Sequence, residues 1–517
     1  MDIKLTKTEF QNYRKCPCFG WHEKHKKLPP EDPDSRLKQI RIQGYQVEAL
    51  ATKLFAGGWK IEGNLQDSIK ETKRLIHDSE NEILYQATAC TPDKLLAKAD
   101  IVALDRQNQV LDIYEVKQVN HLGNQSPKTD KRKYRDYLAD ISFQKFVFEA
   151  SGYKIRDVYL IHLNPDYRLD QDVIEVDKFF EICKQTNLCN SEDFEAEIQE
   201  ALECYKQPQS PKCECRLKPK KYRCPTFKFF NPDLPIKNSI LDIARITPRK
   251  IEQLLDMEVK SIEQIDLTSN LESMSKWSER QKTQIKTIQT QKTIIIKEEI
   301  DLFLKRHVPP LYFLDYEAIG YPIPTFEGSK PHQAIPFQFS LHLLDQNERL
   351  THYEYLMAHN NLNALKKLVA NLQQSIKNNN CPIVVWHKGA EKSFQKNITQ
   401  LLPETSSFFK LLTKRFCDLE EIFTKQYYVD PGFAGRTSLK DIVPVLVPHL
   451  DYGQLAIHDG QMASVSWDEA LISSSEQREE DFQNLKKYCH YDTLTMVEIY
   501  QFLRKLINNK KDDSKTT

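Results

Sequence analysis

The segment LYFLDYEAI places two acids, Asp315 and Glu317, two residues apart inside an apolar run. Residues i and i+2 of a β-strand share a face, so both carboxylates project together from a strand that LYFL marks as buried. Two like charges in such a place are costly unless something compensates them. A divalent cation is the simplest compensation, and hard oxygen ligands suit Mg²⁺ or Mn²⁺. In LKKYCHYDTLTMVEIYQFL, Tyr488 and Asp492 stand four residues apart, which puts them on one helical face. Between these segments, PIVVW is followed by HKGAEKSF with His387 and Glu391, and RFCDLEEIF carries Asp418, which reads as a helix N-cap.

A second set lies earlier. AKADIVALDRQNQVLDIYEVKQ puts Asp100 at the start of one strand and Glu115 and Lys117 on the next. Glu115 and Lys117 project together, with Val116 turned into the core. Carboxylates at a strand edge would again call for a divalent metal, and the lysine can orient an attacking water or offset developing charge. Asp…Glu-x-Lys alone is common on surface strands. Glu48 in the upstream helix RIQGYQVEALATKLF and Gln144 in the downstream helix DISFQKFVFEA supply the context.

Five of the twelve cysteines fall in two tight groups, Cys16 with Cys18 and Cys213 with Cys215 and Cys224. No apolar leader opens the chain, so reduced thiols or metal ligands are expected rather than disulfides. Between Lys206 and Lys228, eight Lys/Arg residues stand against the single acid Glu214. With the stretch KTDKRKYR (128–135), this basic loop suits a phosphate backbone; a merely solvated loop is the plain alternative.

These residues need a scaffold. The 517 residues carry 40% apolar and 10% aromatic residues, enough for real cores and too much for a disordered chain. Lys+Arg and Asp+Glu both number 73, which excludes a polybasic coat but not an acidic metal site balanced by a basic groove. No apolar run approaches the roughly 20 residues of a membrane helix, and a cytoplasmic protein without membrane partners is expected. Three α/β or helical blocks follow. Residues 1–230 alternate strands (ILYQATA, IVALD, VLDIYEVKQ, VYLIHL) with helices, the last helix running from about Asp140 to Ser151. Residues 231–306 read as entirely helical, either a linker or a helix-hairpin-helix, with a helix start at Thr247-Pro248. Residues 307–508 return to α/β, with three strands, a helix near 362–377, PIVVW and a long helix over about 476–506. Residues 509–517 read as a disordered tail. Only 14 glycines are present, and no Walker or Rossmann fingerprint occurs.

With YRKCPCFGW, the helical glutamate, the Asp…Glu-x-Lys core and the glutamine helix, the first block resembles the RecB-type branch of the PD-(D/E)xK nucleases. The resemblance implies a restriction-endonuclease-like core in which Asp100 and Glu115 bind metal, Lys117 assists the nucleophile, and Glu48 and Gln144 support the site. YQA at 85–87 departs from it, because an acid is expected before the alanine. The resemblance to CRISPR-adaptation and AddB nucleases further implies a 4Fe–4S cluster on Cys16, Cys213, Cys215 and Cys224, with Cys18 as a possible substitute and zinc as the alternative. The spacing C-x-C-x8-C departs from the usual C-x2-C-x5-C.

The last block resembles the DEDD exonucleases of the DnaQ class, within the RNase H-like fold, and Tyr-x3-Asp marks their tyrosine subtype. It implies that Asp315, Glu317, Glu391 and Asp492 hold two metal ions and that Tyr488 orients the attacking water. Glu391 stands where aspartate is usual, with Asp418 as its rival. Together with GYQVEALATKLFAGG, PFQFSLH and SLKDIVPVL, the chain resembles a bacterial family that fuses a RecB-like nuclease to a DEDD exonuclease. The expectation is a phosphodiester hydrolase that degrades nucleic acid from the 3′ end, with single-stranded or end-frayed DNA as substrate. RNA as substrate, or a non-catalytic iron–sulfur scaffold that binds nucleic acid, are the alternatives.

Overall fold

The computed structural model describes residues 4–29, 35–78, 80–123, 131–171, 173–267, 276–376 and 380–508. Residues 128–130 of the basic stretch and the tail 509–517 lie outside the described residues. The chain is a mixed α/β protein, about half helical with several sheets. It divides into two compact units: Met1–Asn231 with Tyr321–Pro324 and Lys330–His332, and the remainder from Pro232 onward. Among the described residues no helix is long and apolar enough to cross a membrane.

The first unit opens with α1 (Lys7–Lys15), started by a reciprocal cap. The Thr6 hydroxyl accepts from the Glu9 N–H at 3.2 Å, and the Glu9 carboxylate accepts from the Thr6 N–H at 2.7 Å. Pro17 opens α2 (Pro17–Lys24), where its missing N–H costs nothing. After α3 (Ser35–Ala51) and α4 (Leu65–Asp78), three strands run as an antiparallel meander: β1 (Ile83–Cys90), β2 (Leu95–Asp105) and β3 (Val110–Lys117). A parallel neighbour needs a crossover, and α5 (Lys131–Ala150) supplies it, burying Leu138, Ile141, Val147 and Phe148 on the way to β4 (Ile155–Leu163). The edge strand β5 (Phe180–Lys184) pairs antiparallel with β4, and α6 (Phe194–Lys206) follows. The helix holding Gln144 begins at Lys131, well ahead of the expected Asp140.

In the second unit, Thr247 caps α7 (Pro248–Asp256) through the Lys250 N–H. The expectation of an entirely helical stretch over residues 231–306 is corrected. KSIEQI forms one 3₁₀ turn, Ile262–Gln264, rather than a second helix. Helix α8 (Glu279–Thr290) stops at Gln291, whose φ is 52°, and Ile294–Ile295 pairs as a strand with Tyr428–Val429 before α9 (Lys297–Arg306) begins. The β-branched run Thr293–Ile296 explains the break, since such side chains favour extended backbone.

The main sheet of this unit is built from β6 (Leu311–Ile319), β7 (Ile335–Leu344) and β8 (Leu350–Leu356), then α10 (Leu362–Ser375), β9 (Ile383–Val385), α11 (Lys388–Leu401) and β10 (Phe416–Asp418). The order is β8-β7-β6-β9-β10, with β7 antiparallel to both neighbours and β6, β9 and β10 parallel. Three helices follow: α12 (Leu439–Leu446), α13 (Gly460–Ala470) and the long α14 (Ser475–Asn508). The central strand β6 is covered on both faces, and Phe313 meets Tyr500 of α14 edge-on.

Trp467 of α13 is fully buried, stacks on Phe337 of β7 at 4.6 Å, and donates its indole N–H to the Met357 carbonyl at 2.9 Å. Trp467→Ala should therefore cost about 3–5 kcal/mol in urea unfolding, and Trp467→Phe much less. Equal midpoints for Trp467→Ala and the parent would show that α13 does not anchor this sheet.

Candidate functional site: an acidic centre, a charge-paired pocket and a thiolate cluster

Asp315 and Glu317 do share one face of β6. Beside them the pairing with β7 shifts register between Pro336 and Gln338, so a bulge lies opposite the acidic end of the strand, a place where bulges re-aim side chains. Gly460 opens α13 against Glu317; a Cβ there would stand 3.1 Å from the carboxylate oxygen. Asp492 comes from α14 and accepts a 2.6 Å hydrogen bond from the Tyr452 hydroxyl. Tyr488, one helical turn earlier, is buried at the same place. Glu391 lies in the first turn of α11 and is buried, and its Oε2 has no hydrogen-bond partner. Asp418 is a cap, as expected, but mainly for a different helix. Its oxygens accept from the backbone N–H groups of His387 (3.1 Å) and Lys388 (2.8 Å), the entry to α11, as well as from Glu420 (3.2 Å). It therefore sets the helix that delivers Glu391.

Every carboxyl here is pushed toward neutrality. Burial, then Asp492, raises Asp315; burial, then Asp315, raises both Glu317 and Glu391. Burial pushes Asp492 up to about 6 even though the Tyr452 hydroxyl and Lys440 oppose the shift. Lys440, in the first turn of α12, is the cation set against them, 5.2 Å from the centre of the Tyr488 ring. The same acids and burial raise the Tyr488 phenol, so it stays protonated. The Cys489 thiol lies 4.0 Å from Asp315 and is also driven up, so it stays protonated too. Tyr452, Lys440 and Cys489 escaped the sequence reading. Only the segment SLKDIVPVL, which holds Lys440, carried any signal.

In the first unit the residues again converge, on a different balance of charge. Glu115 Oε1 accepts from Lys117 at 2.6 Å and from Lys7 at 3.0 Å, and its Oε2 accepts from the Gln144 amide at 2.7 Å. Lys117 also pairs with Asp140, and Lys7 lies 3.4 Å from the other Asp140 oxygen. Burial alone would raise Glu115, but Lys117 and Lys7 hold it well below the usual carboxylate range. Asp100, bonded through its carboxylate to the Val116 N–H at 2.8 Å, is raised by burial and by Glu115. Gln86 adopts φ 60° opposite Asp100 and gives its amide to Glu48. Where an acid was expected, an amide thus caps a carboxylate. Lys7 and Asp140 are the residues the sequence did not single out, and the capping box at Thr6 is what aims Lys7 here.

Cys16, at the joint between α1 and α2, meets Cys213, Cys215 and Cys224, with all four sulfurs within 4.8 Å of one another. Cys16 and Cys213 are 3.8 Å apart, as are Cys213 and Cys224. Cys18 points elsewhere, toward His22 at 3.8 Å. Thiol hydrogen bonding, first from Cys16, lowers Cys213 and brings Cys215 down to about 7. These four cysteines could bind a metal. Two of the separations equal the edge of about 3.8 Å that four 2.3 Å zinc–sulfur bonds define, and all lie within 4.8 Å; a four-iron cluster would hold its thiolates farther apart.

A family model described as "Domain of unknown function (DUF2779)" matches residues 312–438, the stretch holding Asp315, Glu317, Glu391 and Asp418. The chain is 24% identical over 280 residues to the uncharacterized protein UU173 of Ureaplasma parvum serovar 3, covering 50% of this chain and 39% of that relative. It is 28% identical over 225 residues to the uncharacterized protein MG366 of Mycoplasma genitalium, covering 39% of this chain and 32% of the relative. Each alignment thus spans well under half of the relative.

Asp492 has a folded pKa above its unfolded value of about 3.9, so the folded state holds the proton more tightly. Its contribution to stability is fully present below pH 4 and is lost as the pH rises toward about 6. Asp492→Asn should flatten the stability profile of metal-free protein in that window, by up to about 1.4 kcal/mol per pH unit. Parallel pH profiles for variant and parent would show that the carboxyl titrates normally.

Proposed function

We propose that the second unit is a metal-dependent 3′→5′ exonuclease of the DEDD type with an RNase H-like fold. The observation that carries the reading is the convergence of four carboxylates on one end of the central strand, Glu317, Glu391 and Asp492 buried and Asp315 half-buried. The unpartnered Glu391 oxygen and the carboxyl groups driven toward neutrality fit a site for hard divalent cations. The strand order also supports it: counted along the chain, the order is 3-2-1-4-5 with the second strand antiparallel.

Two Mg²⁺ or Mn²⁺ ions would activate water and stabilise the leaving oxygen. The chain's own residues do the rest. The carboxylates anchor the site, Glu391 being placed by the Asp418 cap. Tyr488 keeps its phenolic proton and offers it as a hydrogen bond to the attacking water or the scissile phosphate. Lys440 adds positive charge beside that tyrosine. In the reaction, water oxygen bonds to phosphorus, the P–O3′ bond breaks, and the departing 3′ oxygen takes up a proton, releasing a 5′-mononucleotide.

For the first unit, a RecB-like nuclease core is supported by the order of α3, three antiparallel strands, α5 and a parallel fourth strand. A gripping role is the reading favoured there, because Lys7 and Lys117 already neutralise Glu115 and Gln86 replaces an acid. Asp100 and Glu48 still offer oxygens to a cation, while Glu115 joins them only if a lysine swings away. The thiolate cluster would tie α1 and α2 to the basic loop beyond α6. Its sulfur spacing supports a single tetrahedral ion, and the resemblance supports iron and sulfide.

With 5′-labelled single-stranded DNA and RNA in Mg²⁺ or Mn²⁺, a ladder shortening from the 3′ end is expected, lost in Asp315→Ala with binding retained. Degradation that continues unchanged in both Asp315→Ala and Asp492→Ala rules the proposal out. Cutting that survives Asp315→Ala but vanishes in Lys117→Ala would make the first unit a second nuclease rather than a grip. Protein purified without air should carry one thiolate-bound zinc and no visible colour; a brown protein with iron and acid-labile sulfide in equal amounts would establish the cluster instead.

A further inference from the structure

A set of metal donors outside both acidic centres lies between the edge of the main sheet and α14. His342 of β7 and His352 of β8 stand directly opposite one another in the strand register, and His490 of α14 lies over both. Ring centres are 4.4–4.8 Å apart. One ring nitrogen from each of the three lies within 4.8 Å of the other two.

Hydroxyl groups partner two of the rings, and one placement of protons satisfies all four contacts at once. The Thr493 hydroxyl donates to the His490 carbonyl at 3.1 Å. Its single proton is then spent, so it must accept from Ser340, 2.6 Å away, and from His342 Nδ1, 2.8 Å away. Ser340, having donated to Thr493, must accept from His352 Nε2 at 2.9 Å. The four bonds together admit this arrangement alone. They leave the lone pairs on Nε2 of His342 and Nδ1 of His352, with both protonated nitrogens tied to hydroxyls, as metal-bound histidines usually are. His490 makes no side-chain hydrogen bond among the described residues.

Burial pushes His342 down to about 3 and His352 down to about 4, so both are neutral at physiological pH. His352 and His490, though not the buried His342, face a pocket of 490 Å³ lined also by Glu354, Gln454, Lys486 and Tyr491.

We propose that His342, His352 and His490 form a binding site for one divalent transition metal of the zinc class, its fourth position open to this pocket. Imidazole donors select zinc and its neighbours over Mg²⁺ or Mn²⁺, and three protein ligands with an open fourth position is a stable zinc arrangement. A bound ion would staple the edge strand β8 to α14, the helix that carries Tyr488 and Asp492. Small side-chain rotations bring the nitrogens to the separation of about 3.3 Å that zinc–nitrogen bonds of about 2.05 Å require. The site does not depend on nuclease activity in either acidic centre.

The test is metal counting on chelator-stripped full-length protein, titrated with Zn²⁺ in excess Mg²⁺ so that the carboxylate centres hold their hard cation. Native mass spectrometry should show one more zinc per chain in the parent than in His490→Asn or His352→Asn. Substituting Co²⁺ should give weak visible bands that disappear in those variants, while any sulfur-to-cobalt absorption from the cysteine group persists. On the unmodified parent, zinc should protect His352 and His490 from diethylpyrocarbonate, read by peptide mapping, which keeps the test valid if a variant folds poorly. Equal zinc counts in parent and both variants, or labelling of the two histidines that zinc leaves unchanged, overturns the proposal.

Discussion

The accumulation of negative charge at the end of one buried strand is the constraint on which the second unit depends. Asp315 and Glu317 project from β6 where the sheet is covered on both faces, and Asp492 and Glu391 are brought to them from two helices. Isolated carboxylates in such surroundings are expelled or neutralised. Here burial and the neighbouring acids push the Asp315, Glu317 and Glu391 carboxyls toward neutrality. Tyr452 and Lys440 relieve it only in part. The first unit meets the same problem differently: Lys7 and Lys117 both reach Glu115, and the pair is closed by Asp140 and Gln144. One site therefore keeps an unmet demand for a cation, and the other largely satisfies its own.

The surrounding framework follows from that difference. A bulge in β7 sits opposite Glu317 and a glycine begins α13 beside it, both of which make room for a carboxylate and what it binds. Asp418 spends its oxygens on the first N–H groups of α11 and so fixes the approach of Glu391. In the first unit the corresponding effort goes into lysine placement, through the cap that starts α1. Gln86 shows the same economy, because a third acid at that position would have to sit beside Glu48 and Asp100 without a further cation.

Much of this could be read from the sequence, wherever short-range periodicity determines geometry. The i, i+2 pair on β6 and the i, i+4 pair on α14 both landed on single faces, and Thr247-Pro248 did start a helix. Asp418 read as a cap because an aspartate before an acidic helical turn usually is one; that its oxygens also serve the entry to α11 depends on β9 and β10 lying side by side, which no local pattern encodes. Lys7, Asp140, Tyr452 and Lys440 were missed for the same reason, since each reaches its site across 20 to more than 100 residues of chain. The run TQKTIIIKEEI reads as continuous helix because its amphipathic spacing persists through the break. A left-handed Gln291 and a two-residue strand partner decided otherwise. The histidines at 342, 352 and 490 carry no shared spacing at all, and only strand register and helix placement bring them together.

Donor chemistry then separates the sites within one chain. Carboxylate oxygens in the second unit suit small hard ions, the thiolates suit soft or borderline ones, and the imidazoles suit zinc and its neighbours. Because the three preferences scarcely overlap, a solution rich in Mg²⁺ and poor in free zinc would fill the acidic centre without displacing the others. Zinc supplied in excess would do the opposite, since it also binds carboxylates and would compete at the acidic centre. Thr493, whose hydroxyl meets His342 directly and His352 through Ser340, follows Asp492 immediately on α14. A tight nitrogen site there would draw zinc before the carboxylates could, and burial favours the neutral, metal-binding form of all three rings.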